Sequence, residues 1–252
     1  MEDREKIWKA KRIEKLTSSC LRLINTGGRG KSGPKYGDSA CSYLYEVMYE
    51  RVTGDEAGSL DNANFRIGKE NEPYAVQWLR DNLEGLELSL PAEYALGLIT
   101  IEHCSEDLEE IVFDEPFPGV KFGDSPDIKL RQADGTCIAV GEIKCLVSKG
   151  KFQKYKMSSS SDLIDEYKEQ MCGHLMANPG VDKLLYLVYD AVIEGFDTSR
   201  DISDPSRGIV IIYDRSDFGD LIDELEYKIR ECDFAVDEAI RLGVKIESVL
   251  NQ

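Results

Sequence analysis

The feature that most constrains the fold of this chain is a change of hydrophobic period near its middle. Between residues 94 and 145, apolar residues come in short runs separated by turn residues, a pattern typical of β-strands. Asp134-Gly135, between the last two runs, is a hairpin turn signal. Two more apolar strands are predicted further along, at 183–192 and 208–214.

Segments with helical spacing lie on both sides of these runs. They cover residues 3–24, 38–53, 61–83, 161–177 and 216–247. The second has Asp38 or Ser39 as a candidate N-cap and ends before Gly54, and Pro73 predicts a kink or a break in the third. This order predicts an α/β or α+β architecture with a central mixed β-sheet flanked by helices. A chain of 252 residues fits one large domain or two small ones.

The net charge of −17 argues against a protein that coats nucleic acid by charge alone, because such proteins carry an excess of Lys and Arg. The charge is unevenly spread, however. Residues 1–36 carry ten basic and four acidic residues, and residues 140–156 carry five lysines and one glutamate. The sequence therefore predicts an acidic body with two short basic segments, although a basic segment is often only a solvated surface.

The seven cysteines indicate free thiols in a reducing compartment. Their number is odd, no C-x-x-C pair is present, and the charged N-terminal segment lacks the apolar stretch of a signal peptide. No apolar run approaches the ~20 residues of a membrane span. We therefore expect a cytoplasmic protein with no membrane partner.

Carboxylates and a lysine with a characteristic spacing stand on two neighbouring predicted strands. Ser125-Pro126-Asp127 is followed fifteen residues later by Glu142-Ile143-Lys144. Mg²⁺ prefers carboxylate, water and phosphate oxygens, and one hairpin can bring Asp127 and Glu142 to one spot. Lys144 lies on the same strand face as Glu142, where its ammonium can orient and help deprotonate an attacking water. The Ile143 carbonyl is a further candidate metal ligand.

An E-x-K triplet is weak evidence by itself. The chain has two more, at Glu166–Lys168 and Glu226–Lys228, both in helical segments where residues two apart do not face each other. The alternative for the triplet at Glu142 is an edge hairpin with a solvated Glu–Lys pair. The pattern alone leaves both interpretations open.

Further motifs in the same order resemble the lambda-phage exonuclease family, also called the YqaJ-like viral recombinase family, of the PD-(D/E)xK nuclease superfamily. Residues 12–19 resemble its motif R-x-G-x-I-T-A-S, and residues 42–54 resemble the helix that follows. The remaining matches are I-G-K-E-N-E at 67–72 to W-G-x-x-x-E, 125–127 to S-P-D, 142–145 to L-E-L-K-C, and 167–170 to Y-x-x-Q. Each motif alone is weak, whereas the ordered set over residues 12 to about 177 is fairly specific.

The resemblance implies a restriction-endonuclease-like core and one nuclease domain over residues 1–252, with a helical part at about 1–85 and a catalytic sheet core at about 90–215. It implies an Mg²⁺-dependent 5′→3′ exonuclease that degrades one strand of linear double-stranded DNA and leaves 3′ single-stranded overhangs for phage-type recombination. One or two ions are expected per site, with Mn²⁺ as a substitute. The implied partners are DNA ends, further copies of the chain in a homotrimer, and a single-strand annealing protein, in the host cytoplasm if a phage encodes the protein.

The resemblance also implies roles for individual residues at the metal site. Asp127 and Glu142, with the Ile143 carbonyl, would bind the first Mg²⁺, and Lys144 would position the nucleophilic water. Glu72 would support the metal site from its helix, although in isolation it reads as an exposed helix acid.

The implied DNA contacts come from two other motifs. Tyr167 and Gln170 would lie beside the scissile phosphate. Arg12, Ser19 and Ser125 would form the pocket for the 5′-phosphate, because a guanidinium and two hydroxyls together suit that group.

Some positions depart from the family pattern. Glu14 stands where the motif has Gly, Ser18 where it has Ala, and Ile67 where it often has Trp. A further basic residue of the phosphate pocket falls between Lys149 and Lys151, and either could supply it.

The only histidines are His103 and His174, which leaves little material for histidine chemistry. We expect His174, four residues after Gln170, to be incidental. The alternative functions are an endonuclease or an iron–sulfur repair nuclease on the same core, and a catalytically silent DNA-end-binding subunit. The complete set of Asp127, Glu142 and Lys144 argues against the silent subunit.

Overall fold

The computed structural model of the chain describes residues 2–28, 33–58, 63–86, 99–105, 113–158, 165–192 and 201–250. The helices in these residues are α1 (Glu2–Arg12), α2 (Leu21–Asn25), α3 (Asp38–Thr53), α4 (Ala63–Asn82), α5 (Lys149–Met157), α6 (Lys168–Ala177), α7 (Gly219–Leu242) and α8 (Ile246–Leu250). Short 3₁₀ turns cover Ser18–Cys20, Leu83–Gly85, Pro205–Arg207 and Arg215–Phe218. The strands are β1 (Leu16–Thr17), β2 (Thr100–His103), β3 (Phe122–Gly123), β4 (Ile128–Arg131), β5 (Cys137–Leu146), β6 (Lys183–Asp190) and β7 (Gly208–Asp214).

The main sheet is mixed, as predicted, and has the strand order β2-β4-β5-β6-β7. β5 and β6 are parallel, and the other neighbours are antiparallel. The predicted hairpin joins β4 to β5, where Gly135 has a φ of +87° and the Gln132 N–H donates to the Thr136 carbonyl over 2.9 Å. A separate two-stranded parallel sheet pairs β1 with β3.

Helices cover both faces of the sheet because β5 and β6 are apolar on both sides. Ala139 and Ile143 of β5 pack in one cluster with Trp78 and Leu79 of α4. Val140 and Leu146 belong to a second cluster, which includes apolar residues of α2, α3, α6 and α7. Period-two alternation therefore sends Glu142 and Lys144 to the α6 side. The edge-hairpin alternative is wrong, since Glu142 is 2% exposed in the central strand.

The prediction of one helix over residues 3–24 is wrong. α1 ends at Arg12, and Glu14 then takes a left-handed backbone conformation with a φ of +70°. Arg51 Nε donates to the Glu14 carbonyl over 2.9 Å, and Glu50 Oε2 accepts the Glu14 N–H over 3.0 Å, so α3 holds this turn. The turn redirects the chain into β1, and it explains why a motif with Gly at this position suits the same path.

Other boundaries also differ from the predicted ones. α4 continues through Pro73 without a break. Gly37 is the N-cap of α3, one residue before the predicted Asp38. The helix predicted at 161–177 is helical from Lys168 onward, and residues 159–164 lie outside the described residues, as do 94–98 and 106–112 of the predicted strand runs.

All seven cysteines lie in the described residues as free thiols. Within the same ranges, no helix combines the length and apolar composition that crossing a membrane requires.

The left-handed turn at Glu14 predicts a difference between two variants at this position. Glu14→Gly should have a free energy of unfolding about 1 kcal/mol above that of Glu14→Ala, because only Ala keeps the Cβ that makes this conformation unfavourable. Both variants lose the same carboxylate, so each is the control for the other. Urea denaturation followed by circular dichroism measures the difference. Equal stabilities would contradict the idea that the left-handed conformation at Glu14 is strained.

Candidate active site

The site lies where β5 runs past the end of β4. The pairing of these strands ends at Ile128 and Gly141, so among the described residues the second half of β5 has a strand on only one side. Asp127, just before β4, closes part of the gap, because its Oδ2 accepts the Ile143 N–H over 2.7 Å. The N–H and C=O of one strand residue point to the same side, so the Ile143 carbonyl also faces Asp127. This arrangement brings Asp127 and two sequence-predicted ligands of β5 together.

Glu142 is a buried carboxylate with a cation at each oxygen. Its Oε1 accepts from Lys144 Nζ, and its Oε2 lies 2.7 Å from His174 Nε2. Burial opposes ionisation of Glu142, but Lys144 and His174 outweigh it and lower its pKa to about 2. Glu142 is therefore charged at neutral pH.

Asp127 has an unfavourable electrostatic environment. Burial raises its pKa, and the nearby carboxylates of Glu142 and Glu72 raise it further. These acidic groups come from the residue before β4, from β5 and from α4, and carboxylate oxygens are donors that suit a hard divalent cation. Within the described residues, no three His, Cys, Asp or Glu side chains form a complete ligand cluster. Mg²⁺ does not require one, because it keeps several waters and takes one or two carboxylates plus phosphate oxygens.

Glu72 is held in place and is not simply an exposed helix acid. Its Oε1 lies 2.6 Å from His103 Nε2, and Ser105 Oγ donates to the same oxygen over 3.4 Å. Its side chain is 22% exposed, and that of His103 is 3% exposed. β2 thus fixes the carboxylate that α4 supplies.

Lys144 connects the strand carboxylates to helix α6. Its Nζ donates to Gln170 Oε1 over 3.3 Å and lies 4.5 Å from the centre of the Tyr167 ring. Burial lowers its pKa, but Glu142 and Asp127 outweigh burial and raise the pKa above its usual range. Lys144 is therefore a protonated hydrogen-bond donor in this arrangement.

The predicted phosphate pocket is partly assembled. Arg12 Nη2 donates to Ser19 Oγ over 3.0 Å and to Thr17 Oγ1 over 3.3 Å. Ser125 lies two residues beyond Gly123, which is the register partner of Thr17 in the small sheet. The register therefore brings the Ser125 segment and the Ser19 turn to one end of β1 and β3.

The two candidate lysines point to different partners. Lys149 Nζ contacts Asp190 Oδ1 at 2.8 Å, at the end of β6. Lys151 Nζ contacts Glu166 Oε2 at 3.0 Å, next to Tyr167. Lys151 is therefore the candidate on the pocket side.

A pocket of about 210 Å³ is bounded by the Ser18–Cys20 turn, α2 and the start of α6. Its lining residues are Ser19, Arg22, Glu166, Tyr167, Glu169 and Gln170. Sequence reasoning missed Arg22, whose Nη1 donates to the Glu166 carbonyl over 2.8 Å. Its place in a pocket with Gln170 and Ser19 makes it a further candidate for contact with DNA.

The expectation that His174 is incidental is wrong. Its Nδ1 lies 2.8 Å from Asp124 Oδ1, and its Nε2 contacts Glu142. Burial lowers its pKa, but Asp124 and Glu142 outweigh burial and raise the pKa to about 10. The spacing of four residues from Gln170 was the sequence signal, because such residues share one face of a helix.

No protein-family model matches this sequence, and a search of curated proteins found no match either. Solved structures do match. The crystal structure of an alkaline exonuclease (LHK-Exo) from Laribacter hongkongensis is 20% identical in sequence, with a TM-score of 0.64 over 94% of this chain and 95% of that chain. LHK-Exo in complex with dAMP gives the same identity and coverage with a TM-score of 0.65.

A phage-related exonuclease from Haemophilus somnus 129PT is also similar, at 18% identity and a TM-score of 0.57 over 90% of this chain and 95% of that chain. The chain has the fold of these exonucleases. The expected mixed sheet flanked by helices is confirmed, and these solved structures share its fold. At these identities the likeness concerns the fold, and the roles of single residues depend on the geometry described above.

The crowding of carboxylates predicts a stability trade-off at Asp127. At alkaline pH in EDTA, Asp127→Asn should raise the free energy of unfolding by roughly 1 kcal/mol, because the amide keeps an acceptor for the Ile143 N–H and removes a like charge. Added Mg²⁺ should raise the melting temperature of the wild type but not of the variant. Urea and thermal denaturation measure these effects, and Asp223→Asn, at an exposed position of α7, is the control. A variant that Mg²⁺ stabilises as much as the wild type would contradict this metal site.

Proposed function

We propose that this protein is an Mg²⁺-dependent deoxyribonuclease that degrades one strand of linear double-stranded DNA in the 5′→3′ direction. The observation that carries the proposal is the set of contacts around Lys144. Its ammonium contacts Glu142 and Gln170 and lies over the Tyr167 ring, and its own pKa reflects the nearby charge of Asp127. Side chains of two separate motifs thus meet at Lys144, and Asp127 of a third motif is near enough to influence its charge.

Asp127, Glu142 and the Ile143 carbonyl would hold a divalent ion, and Glu72 would support the site from α4. Such an ion, when bound, polarises a phosphate and lowers the pKa of a water molecule. Lys144 would donate a hydrogen bond to the attacking water and hold it in line with the phosphorus. Gln170 and Tyr167 would contact the scissile phosphate from α6.

The proposed reaction is hydrolysis of the first phosphodiester bond at a 5′ end. The water oxygen forms a bond to phosphorus, the bond from phosphorus to the 3′ oxygen breaks, and the water proton passes through solvent to that oxygen. The products are a 5′-mononucleotide and a shortened strand with a new 5′-phosphate. The complex of LHK-Exo with dAMP supports this product class, since dAMP is a deoxynucleoside monophosphate.

The contact between Arg12 and Ser19 supports recognition of the 5′-phosphate. A guanidinium and neighbouring hydroxyls donate several hydrogen bonds to one phosphate group. We place Ser125 and Lys151 in the same pocket, with Lys149 further away at Asp190. Binding the end phosphate would set which strand is degraded.

The family resemblance adds proposals on the biological context. We infer one nuclease domain over residues 1–252, a homotrimer, and 3′ overhangs that pass to a single-strand annealing protein in the host cytoplasm. Mn²⁺ would substitute for Mg²⁺.

Lys144→Ala tests the catalytic site. With Mg²⁺, the wild type should degrade linear duplex DNA and leave a covalently closed circle intact, and EDTA should stop the reaction. The variant should lose about 100-fold or more in kcat, because the donor to the water is gone. Gel analysis of fluorescently labelled duplexes measures both rates, and Lys245→Ala, at an exposed position before α8, is the matched control.

Four other results would contradict the proposal. Cleavage of circular DNA as fast as linear DNA would favour an endonuclease. DNA-end binding without degradation would favour a silent subunit, and iron in the purified protein would favour the iron–sulfur alternative. Full activity of Lys144→Ala would place the active site elsewhere.

Arg12→Gln tests recognition of the 5′ end. The wild type should degrade a 5′-phosphorylated duplex faster than a 5′-hydroxyl duplex, and the variant should reduce that preference about tenfold, because a charge-assisted hydrogen bond contributes about 1.5–3 kcal/mol. Initial rates on paired substrates measure the preference. Lys9→Gln removes a positive charge from the same helix and should keep the preference. An equal loss in both variants would mean that only the general charge of α1 matters.

A further inference from the structure

A buried chain of three polar side chains leads away from the proposed metal site. Asp124 Oδ1 lies 2.8 Å from His174 Nδ1, and Glu142 Oε2 lies 2.7 Å from His174 Nε2. The three side chains are 0%, 1% and 2% exposed in the order Asp124, His174, Glu142. Each of these buried groups therefore depends on its neighbour for a hydrogen bond.

Asp124 and Glu142, the two ends of this hydrogen-bonded series, are both held by backbone pairing. Asp124 forms a two-way bridge with Asp114, in which each backbone N–H donates to the other residue's carbonyl over 2.8–2.9 Å. Glu142 is in the central strand, paired with Tyr186 of β6. His174 lies between them on α6, the helix that also carries Gln170.

The contacts divide the two oxygens of Glu142 between different partners. Oε1 faces Lys144, on the side of the proposed reaction, and Oε2 faces His174. A carboxylate held at one oxygen only can rotate about its last side-chain bond. Both contacts together therefore fix the plane of the carboxylate, and without the imidazole only Lys144 would hold it.

We propose that His174, supported by Asp124, is a positioning residue that holds the Glu142 carboxylate in the orientation in which it binds the divalent ion. The inference rests on the proposed nuclease site. It adds a residue that contacts a metal ligand, Glu142, instead of the ion itself. Groups of this kind fix the orientation of metal ligands, and their loss typically weakens metal binding by about 10- to 100-fold.

The test measures metal binding directly, without DNA. Isothermal titration calorimetry of the full chain with Mn²⁺ gives the dissociation constant for the wild type, His174→Gln and His174→Leu. His174→Leu should bind Mn²⁺ about 10- to 100-fold more weakly, because Glu142 loses the donor at Oε2. His174→Gln keeps an N–H donor and should recover part of the affinity. If the Leu variant does not fold, the Gln variant decides, since it should still bind more weakly than the wild type.

A matched control separates positioning from general damage to α6. Asn178 Nδ2 donates to the His174 carbonyl over 2.9 Å, so Asn178→Ala weakens the end of the same helix without touching Glu142. This control should keep the wild-type affinity for Mn²⁺. A loss as large as that of His174→Leu would overturn the proposal in favour of a purely structural role.

Asp124→Asn tests the contact between Asp124 and His174. Asp124 and His174 act as one unit under the proposal, so the double variant Asp124→Asn/His174→Leu should lose no more affinity than the larger single loss. Losses that multiply would overturn the role of Asp124. Mn²⁺ affinities of both His174 variants within about twofold of the wild type would overturn the role of His174.

Activity assays keep this inference separate from the proposed function. On linear duplex DNA at a fixed Mn²⁺ concentration, the His174 variants should lower kcat with little change in KM for DNA, since the His174 side chain contacts Asp124 and Glu142, which do not line the pocket of Ser19 and Gln170. A wild type that binds Mn²⁺ but degrades no DNA would refute the nuclease and leave the positioning role standing. A wild type that binds no Mn²⁺ would overturn the positioning role, whatever the DNA assay shows.

Discussion

Burial of the Glu142 carboxylate in the central strand is the constraint on which the rest of the site depends. An ionised group removed from water destabilises a fold by several kcal/mol unless it is paired and hydrogen-bonded. Lys144 supplies a partner from the same strand, and His174 supplies one from α6. The helix must therefore sit at one height over the sheet, and the same placement brings Gln170 to Lys144.

The features that follow from local patterns were predictable from sequence. Alternation along β5 separates Glu142 and Lys144 from Ile143, and the Asp134-Gly135 turn fixes the hairpin that brings Asp127 near them. These rules act over a few residues, so a single sequence contains enough information for them. The resemblance to a nuclease family added Glu72 and Gln170, which no local rule would have singled out.

The features that depend on distant partners were not predictable. The two side-chain partners of His174 are Asp124, 50 residues away, and Glu142, 32 residues away. The break after α1 has the same origin, because Glu50 and Arg51 of α3 stabilise a backbone conformation that Glu14 would otherwise avoid. Helical spacing in residues 3–24 described the local preference correctly, and tertiary contacts overrode it.

Under the proposed function, the close approach of α6 to the Ser18–Cys20 turn has a consequence for the size of the product. A Cβ on Gly173 would lie 2.4 Å from the Cβ of Ser18, so helix and turn touch with no room between them. Ser19 belongs to this turn, and Gln170 belongs to this helix, so the proposed end-phosphate pocket and the proposed cleavage site are held at one separation. Under the proposed function, that separation is the step length of the enzyme, and a rigid contact between two backbones makes the product a fixed unit instead of a range of fragments.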